Sequence, residues 1–224
     1  MIKPRESGFT IAELMIAAAF FSLALVFALT GFFQVGRLFY KGVALTQTQA
    51  LAKKIVDNFT LDVQFAPTVG SPGNAGKGTN GKPRQFLCVG NIRYTYILGN
   101  EVILSEESDH TQPKDDTFGL LRDILLGAAG CSNPFPTHGG PNFNKPVELL
   151  ANKMRLSLFN LTPVKNSQGQ LITDLWNIDL KMAYGDDNVL TNPSDPDKIN
   201  CNGNLTTSQY CSVTELKTTI SRGY

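Results

Sequence analysis

The distribution of apolar and polar residues divides the chain into one long helical segment and a region of short strands. From Leu14 to Phe33 nearly every residue is apolar, and a helix of that stretch is roughly 30 Å long. Because that length matches the hydrocarbon thickness of a bilayer, the run predicts a membrane-spanning helix. Beyond Phe33 apolar residues recur at intervals of three, four or seven, as on one face of a helix. We therefore expect one helix from about Phe9 to Ala66, ended by Pro67.

This helix is expected to change its role near the middle. Residues 9–36 form the predicted membrane or assembly helix, and residues 37–66 form an amphipathic continuation that packs on the protein's own core. Bending or local melting is expected at Gly31, Gly36 and Gly42, since glycine is a poor helix former. The apolar face predicted for the continuation comprises Leu38, Leu45, Ala52, Ile55, Phe59, Val63 and Ala66.

Downstream of the helix the pattern predicts a loop followed by a β-rich domain. Residues 67–83 are rich in glycine and poor in apolar side chains, which indicates a surface loop. In residues 84–224 apolar and polar positions alternate in several stretches, most clearly from Trp176 to Tyr184. Alternation also predicts strands at 92–96, around 156–158 and at 215–222. The predicted fold class is α+β, with the long N-terminal helix packed against an antiparallel β-sheet.

Two further elements of the β-rich domain are predicted from local signals. Gly99-Asn100 is a typical tight turn, and it predicts a hairpin that joins the strand at 92–96 to residues 102–104. Residues 116–128 carry apolar side chains three or four apart, which predicts a short helix.

A single carboxylate, Glu13, lies just inside the long apolar run. At this margin a carboxylate can lie at the level of the lipid headgroups at little cost. The preceding residues Lys3 and Arg5 are basic, which favours keeping this end of the chain in the cytoplasm. An ordinary secretory signal peptide has its small-residue cleavage site after the apolar run, whereas here Gly8 lies before it.

The hexapeptide Gly8-Phe9-Thr10-Ile11-Ala12-Glu13 resembles the processing motif of type IV prepilins and type II secretion pseudopilins, with Ile-Ala in place of the commoner Leu-Ile. The resemblance implies that residues 1–8 are a leader, that a prepilin peptidase cuts between Gly8 and Phe9, and that Phe9 becomes N-methylated. It also implies an assembly role for Glu13, whose carboxylate would pair with the terminal amine of a neighbouring subunit in apolar surroundings.

The same resemblance implies a location and a set of partners. The expected protein crosses the cytoplasmic membrane once, has its C-terminal domain outside the cytoplasm, and later enters an extracellular or periplasmic filament. Its expected partners are other pilin subunits, the prepilin peptidase and the assembly platform in the membrane. The large domain and long loops favour a minor pilin or minor pseudopilin.

The four cysteines all lie in the part of the chain expected outside the cytoplasm. Three pairings are open, and we favour Cys88 with Cys131 and Cys201 with Cys211, since the latter two bracket a polar loop. A zinc site and free buried thiols are the alternatives, but the chain has no Cys-x-x-Cys and neither histidine lies at ligand spacing.

One oxygen-rich cluster is a second candidate metal site, with Asp186, Asp187, Asp195 and Asp197 as its acidic residues. It lacks the spacing of an EF-hand, so a solvated loop is the default interpretation and a calcium site the alternative. No other cofactor is predicted.

Composition and motifs exclude other classes of function. The chain has no Gly-x-Ser-x-Gly and no His-Glu-x-x-His motif, so no enzymatic activity is predicted. It has 20 basic and 19 acidic residues, which predicts no general nucleic-acid binding. Two alternatives to a filament subunit stay open: a membrane-anchored extracytoplasmic binding or adhesion domain, and a pilus-tip subunit that binds DNA or another ligand through its long loops.

Overall fold

The computed structural model describes residues 8–78, 81–103, 118–124, 146–203 and 208–223. It divides into two compact units, Met1–Tyr40 and Lys41–Tyr224. The described part of the first unit is the beginning of helix α1 (Ile11–Gln64), and the second unit holds the rest of that helix and all described strands. The α+β layout is confirmed, with one long N-terminal helix and antiparallel sheets on which its second half packs.

Helix α1 has nearly the extent that the apolar periodicity predicts, and it runs without interruption through Gly31, Gly36 and Gly42. Local melting at those glycines is therefore not seen. The predicted buried face is correct from Ala52 onward but wrong at Leu38 and Leu45, which are 71% and 39% exposed. In this part of the helix the small residues Ala44 and Thr48 are buried instead, on a neighbouring side of the helix. Small side chains let the helix approach its neighbours closely. The buried helix residues are Ala44, Thr48, Ala52, Ile55, Val56, Phe59 and Val63.

The last turn of α1 is capped by the C-terminal end of the chain. The Gly223 N–H donates to the Gln64 carbonyl at 3.0 Å, and the Arg222 guanidinium donates to the Pro67 carbonyl at 3.0 Å. Arg222 also forms an ion pair of 2.6 Å with Asp174. These donors satisfy carbonyls that the helix itself leaves unpaired, and a cation at this end is favourable to the helix dipole.

The described strands form antiparallel sheets in the second unit. The larger sheet has the order β1-β2-β3-β4-β5, and a second sheet has the order β10-β7-β6. A two-stranded ribbon pairs β8 with β9. The strands are β1 (Gly73–Lys77), β2 (Pro83–Val89), β3 (Ile92–Ile97), β4 (Leu120–Ile124), β5 (Val147–Glu148), β6 (Met154–Lys165), β7 (Leu171–Tyr184), β8 (Leu190–Thr191), β9 (Asn200–Cys201) and β10 (Ser212–Ser221).

An aromatic cluster joins the helix to both large sheets. The ring of Phe59 on α1 lies edge-on to Tyr94 on β3 and to Phe159 on β6, with centroids 5.0 and 5.4 Å apart. Tyr96 on β3 contacts Phe159 at 5.2 Å. All four side chains belong to the main core. The core therefore lies between the second half of α1 and the inner faces of the sheets.

The strands predicted from alternation are confirmed as β3, β6, β7 and β10. The interpretation of residues 67–83 as a loop is wrong in its middle, where β1 pairs with β2. Glycine is needed at position 73 because the ring of its partner Phe86 lies over it: a Cβ there would be 2.5 Å from that ring. The aromatic ring covers the glycine and supplies the packing that the strand itself lacks.

The predicted hairpin at Gly99-Asn100 is also wrong. β3 instead turns back to β2 through Gly90-Asn91, where Gly90 has φ of +57° and Val89 is the partner of Ile92. After Gly99 the chain runs beside β6: the Val102 N–H donates to the Met154 carbonyl at 2.9 Å. A turn motif predicts that the chain changes direction, but it does not predict which strand the following residues pair with.

The short helix predicted for 116–128 is contradicted by β4, which pairs with β3 across the register Tyr94↔Arg122. Residues 116–117 and 125–128 lie outside the described part. Leu120 faces the main core, whereas Leu121 packs with Ile97 and Phe118 on the opposite face of the sheet. Because both faces of the strand are buried, its apolar residues do not alternate and their spacing imitates a helix.

Candidate functional site

The candidate site is the beginning of α1, where the sequence placed processing and assembly. Gly8 and Phe9 precede the helix, and Phe9 is 85% exposed. A side chain at Gly8 would meet nothing within 4 Å. Lys3 and Arg5 lie outside the described residues. The bond between Gly8 and Phe9 thus lies in non-helical chain just before the first helical turn.

Thr10 and Glu13 form a reciprocal cap at this helix start. The Glu13 Oε2 accepts from the Thr10 N–H at 3.0 Å and from the Thr10 hydroxyl at 2.9 Å. The Glu13 N–H in turn donates to the Thr10 Oγ1 at 3.3 Å. This is a capping box, the Thr-x-x-Glu pattern that satisfies two otherwise unpaired N–H groups. The pattern is legible in the sequence, but it was not predicted, since Glu13 was expected to lie at the level of the lipid headgroups or to pair with a neighbouring subunit.

The helix that follows exposes a continuous apolar surface. It is long and apolar enough to cross a membrane, and none of its most apolar stretch is buried within the structure. Phe27 and Phe32, for example, are 68% and 74% exposed. A monomeric protein in water rarely exposes an apolar surface of this extent, so the segment requires lipid or other protein around it.

The predicted pairing of Cys201 with Cys211 is confirmed, with the two Cα atoms 5.6 Å apart. Cys88 is disulfide-bonded as well. Cys131 lies outside the described residues, so its pairing with Cys88 stays a prediction. Cys211 belongs to a small separate core with Ala183, Val189, Leu190 and Ile199, against which Cys201 also packs, so the disulfide lies at this core.

The acidic cluster near this disulfide is engaged in ion pairs. Asp186 pairs with Lys153 at 3.0 Å and Asp187 with Arg155 at 2.5 Å. Arg155 also pairs with Glu101 at 2.5 Å.

Asp195 pairs with Lys198 at 2.9 Å, and this hydrogen bond lowers the pKa of the Asp195 carboxyl. Asp197 donates its backbone N–H to the Asp195 carboxylate. Among the residues that the structure describes, no group of three or more His, Cys, Asp or Glu is arranged to hold a metal ion. Asp186, Asp187 and Asp195 are therefore each paired with a cation of the chain itself.

A polar site that the sequence did not reveal lies between α1 and β4. The Asp62 carboxylate accepts from Arg122 Nε and Nη2, each at 2.8 Å, and from the Tyr94 hydroxyl. The hydrogen bonds to Asp62 raise the pKa of Arg122. Burial, reinforced by Asp62, raises the pKa of Tyr94. Arg122 is thus held in its charged form and Tyr94 in its neutral form near neutral pH.

Beside Asp62, Arg122 and Tyr94, the Glu148 carboxylate on β5 links its own strand region to the start of β4. Its carboxylate accepts from the backbone N–H groups of Gly119, Leu120 and Leu150 at 2.8 to 3.0 Å. Burial raises the pKa of Glu148 from 4.5 to about 7, although these donors oppose the change. Asp62, Arg122 and Glu148 line a groove of about 450 Å³, together with Leu51, Lys54 and Leu61.

Comparison of the chain with protein-family models, with curated proteins and with solved structures gives no match. Functional inference therefore depends on the local motif, the bare apolar helix and the geometry around them.

Proposed function

We propose that the chain is a structural subunit, of the minor class, of a type IV pilus or a type II secretion-like pseudopilus. Its precursor would be held in the cytoplasmic membrane by α1, with the C-terminal domain outside the cytoplasm. Prepilin peptidase would cut between Gly8 and Phe9 and methylate Phe9. The membrane assembly platform would then move the subunit into a filament.

The observation that carries the proposal is the position of Glu13. This carboxylate stands at the first turn of an unburied apolar helix, directly after the motif Gly8-Phe9. Cleavage there creates a cationic amine at Phe9, so the mature helix begins with one positive and one negative charge. Either charge is costly in apolar surroundings unless it is paired. Docking against a neighbouring helix would pair the Glu13 carboxylate of one subunit with the amine of another.

The division of α1 supports the same function. Between Glu13 and Gln34 it offers only apolar side chains and the small polar ones of Ser22 and Thr30, which suits lateral packing among like helices. Its second part is fixed to the sheets by Ala52, Phe59 and Val63, which are fully buried. Each subunit would therefore bring a folded domain to a filament whose cohesion comes from the bare helices. No enzymatic step is assigned to the protein.

The deciding experiment measures the N-terminus of the mature protein. The full chain is produced in cells with and without prepilin peptidase, and its intact mass and first residue are determined. We expect Phe9 as the first residue and the mass of one added methyl group, only when the peptidase is present. Gly8→Leu should retain the leader. Gly31→Ala, at another glycine in open space, should be processed normally.

An uncut chain in cells with active peptidase would overturn the proposal. That result would favour the alternative of a membrane-anchored binding domain that remains in the membrane.

A further inference from the structure

The stretch Arg37–Lys41 lies where α1 would leave the membrane. No charged residue stands between Glu13 and Arg37. A helix over residues 14–36 is about 34 Å long, slightly more than the roughly 30 Å of a bilayer's hydrocarbon core. With Glu13 at one boundary of that core, Arg37 and Lys41 fall in the headgroup layer at the other.

This stretch combines basic and aromatic side chains. Phe39 and Tyr40 are 67% and 56% exposed, and their rings are in edge contact with centroids 6.1 Å apart. Aromatic residues of this kind concentrate at membrane interfaces, where an apolar ring and a polar edge are both accommodated. Arg37 and Lys41 are both exposed and lie four positions apart in the sequence.

The two cations have no counter-ion among the described residues. Neither Arg37 nor Lys41 forms an ion pair or side-chain hydrogen bond with any residue that the structure describes. On the helix no acidic residue occurs between Glu13 and Asp57. The proposed topology places both cations outside the cytoplasm, so they do not serve as the basic signal that holds a segment inside. Anionic groups from the surroundings are the available partners.

We infer that Arg37 and Lys41, flanked by Phe39 and Tyr40, bind the phosphate of anionic phospholipid headgroups in the outer leaflet of the membrane. Basic residues attract anionic lipid when they lie at the headgroup level, by about five-fold in local enrichment per residue. The guanidinium of Arg37 offers paired donors that match phosphate oxygens, and the Lys41 ammonium adds a second charge. Bound lipid would set the depth of α1 and hold the subunit until it is withdrawn from the membrane. The inference rests on the membrane-spanning part of the proposed function and not on filament assembly.

The test uses the full chain in nanodiscs of phosphatidylcholine and phosphatidylglycerol in equal amounts, with native mass spectrometry of the lipids that stay bound. The wild-type protein should retain several-fold more phosphatidylglycerol than phosphatidylcholine. Arg37→Gln with Lys41→Gln should lose most of that preference. Lys53→Gln with Lys54→Gln, an equal loss of charge on exposed residues farther along α1, should leave it unchanged. Arg37→Lys with Lys41→Arg should restore most of it.

Two results would overturn the inference. One is a preference that survives in the Arg37→Gln, Lys41→Gln variant, and the other is an equal loss in the Lys53→Gln, Lys54→Gln variant. Thermal unfolding of each variant in the same nanodiscs confirms that the folded domain is intact. Leader cleavage is measured separately, so failure of lipid binding and failure of the proposed function are distinguishable.

Discussion

Asp62 on α1 and Arg122 on β4 meet through two hydrogen bonds of 2.8 Å, and the Tyr94 hydroxyl donates to the same carboxylate. The Asp62 side chain is 11% exposed and that of Arg122 27%. The pair thus lies at the edge of the apolar contact between helix and sheet, where water screens it only in part. It fixes the rotation of the helix, since a carboxylate displaced from this position would leave both a guanidinium and a phenol without their acceptor.

Removal of this carboxylate's charge should destabilise the fold. Asp62→Asn keeps the shape of the side chain but weakens three hydrogen bonds to a charged acceptor, and we expect a loss of about 2 kcal/mol in the free energy of unfolding. Urea denaturation of the full chain in detergent measures it. Glu215→Ala, which removes the exposed partner of Lys217, should leave the free energy of unfolding nearly unchanged. Equal effects of the two substitutions would contradict a specific role for Asp62.

Glu148 should make stability depend on pH between about 4.5 and 7. Its pKa is raised from 4.5 to about 7 in the folded state, so the folded protein holds this proton more tightly than the unfolded chain does. The folded state is therefore favoured below pH 4.5 and loses stability as pH rises to 7, by about 3 kcal/mol from this group. Above pH 7 the contribution is constant.

The measurement compares unfolding free energies of wild-type protein and Glu148→Gln at several pH values. Glutamine does not titrate, so the variant does not lose this stability. Its free energy of unfolding should therefore increase relative to that of the wild type as pH rises through this range. Glu215→Gln is the control: the hydrogen bond from Lys217 lowers the pKa of Glu215 from 4.5, so any effect of this group has the opposite sign and lies below pH 4.5, and its difference from wild type should be constant from pH 4.5 to 7. A wild-type and a Glu148→Gln profile that stay parallel from pH 4 to 8 would show that Glu148 does not titrate there.

The Cys201–Cys211 disulfide should stabilise the segment it closes. The two cysteines are separated by 10 residues, and a loop of that size gains about 2 to 3 kcal/mol from cross-linking. Replacing both by serine should lower the free energy of unfolding by that amount. It should also expose residues 185–199 to protease, since Cys211 belongs to the small core beneath them. Unchanged protease resistance in the double variant would mean that the ion pairs of Asp186 and Asp187 are sufficient to keep residues 185–199 folded without the disulfide.

The sequence predicted those elements of the fold that present one face to water. Helix α1 from Ala52 onward and strands such as β7 have a buried side and a solvent side, so the period of their apolar residues gives their type. β4 has buried apolar residues on both of its faces, and its apolar spacing imitated that of a helix. β1 was not predicted because its glycine-rich sequence has no alternation of apolar and polar residues. The pairing of this strand depends on the Phe86 ring of the next strand.

The candidate site was predictable in part for a similar reason. The processing motif and the capping box are each contiguous, so neighbouring residues alone reveal them. Asp62 and Arg122 are 60 positions apart in the sequence, and only the packing of α1 on β4 brings them together. The shifted pKa of Glu148 likewise arises from burial, which has no local signature in its sequence neighbourhood.

The capping box separates two roles of Glu13 that one substitution would confuse. Thr10→Ala removes both hydroxyl contacts, and Thr10→Ser preserves them. We expect Thr10→Ala to loosen the first turn by about 1 kcal/mol, seen as faster hydrogen exchange at residues 11–14 in micelles, with Thr10→Ser unchanged. Glu13→Gln keeps an acceptor for the Thr10 N–H but removes the charge that would pair with a neighbour's Phe9 amine.

Under the proposed function, filament yield should therefore collapse in Glu13→Gln while leader cleavage and first-turn protection are largely retained. Thr10→Ala should have the opposite effect: the first turn should be less protected from hydrogen exchange, and filament yield should fall less than in Glu13→Gln, because the Glu13 carboxylate keeps its charge. If filament yield instead followed first-turn protection across the three variants, Glu13 would act through the helix start alone. The intermolecular pairing would then have to be abandoned.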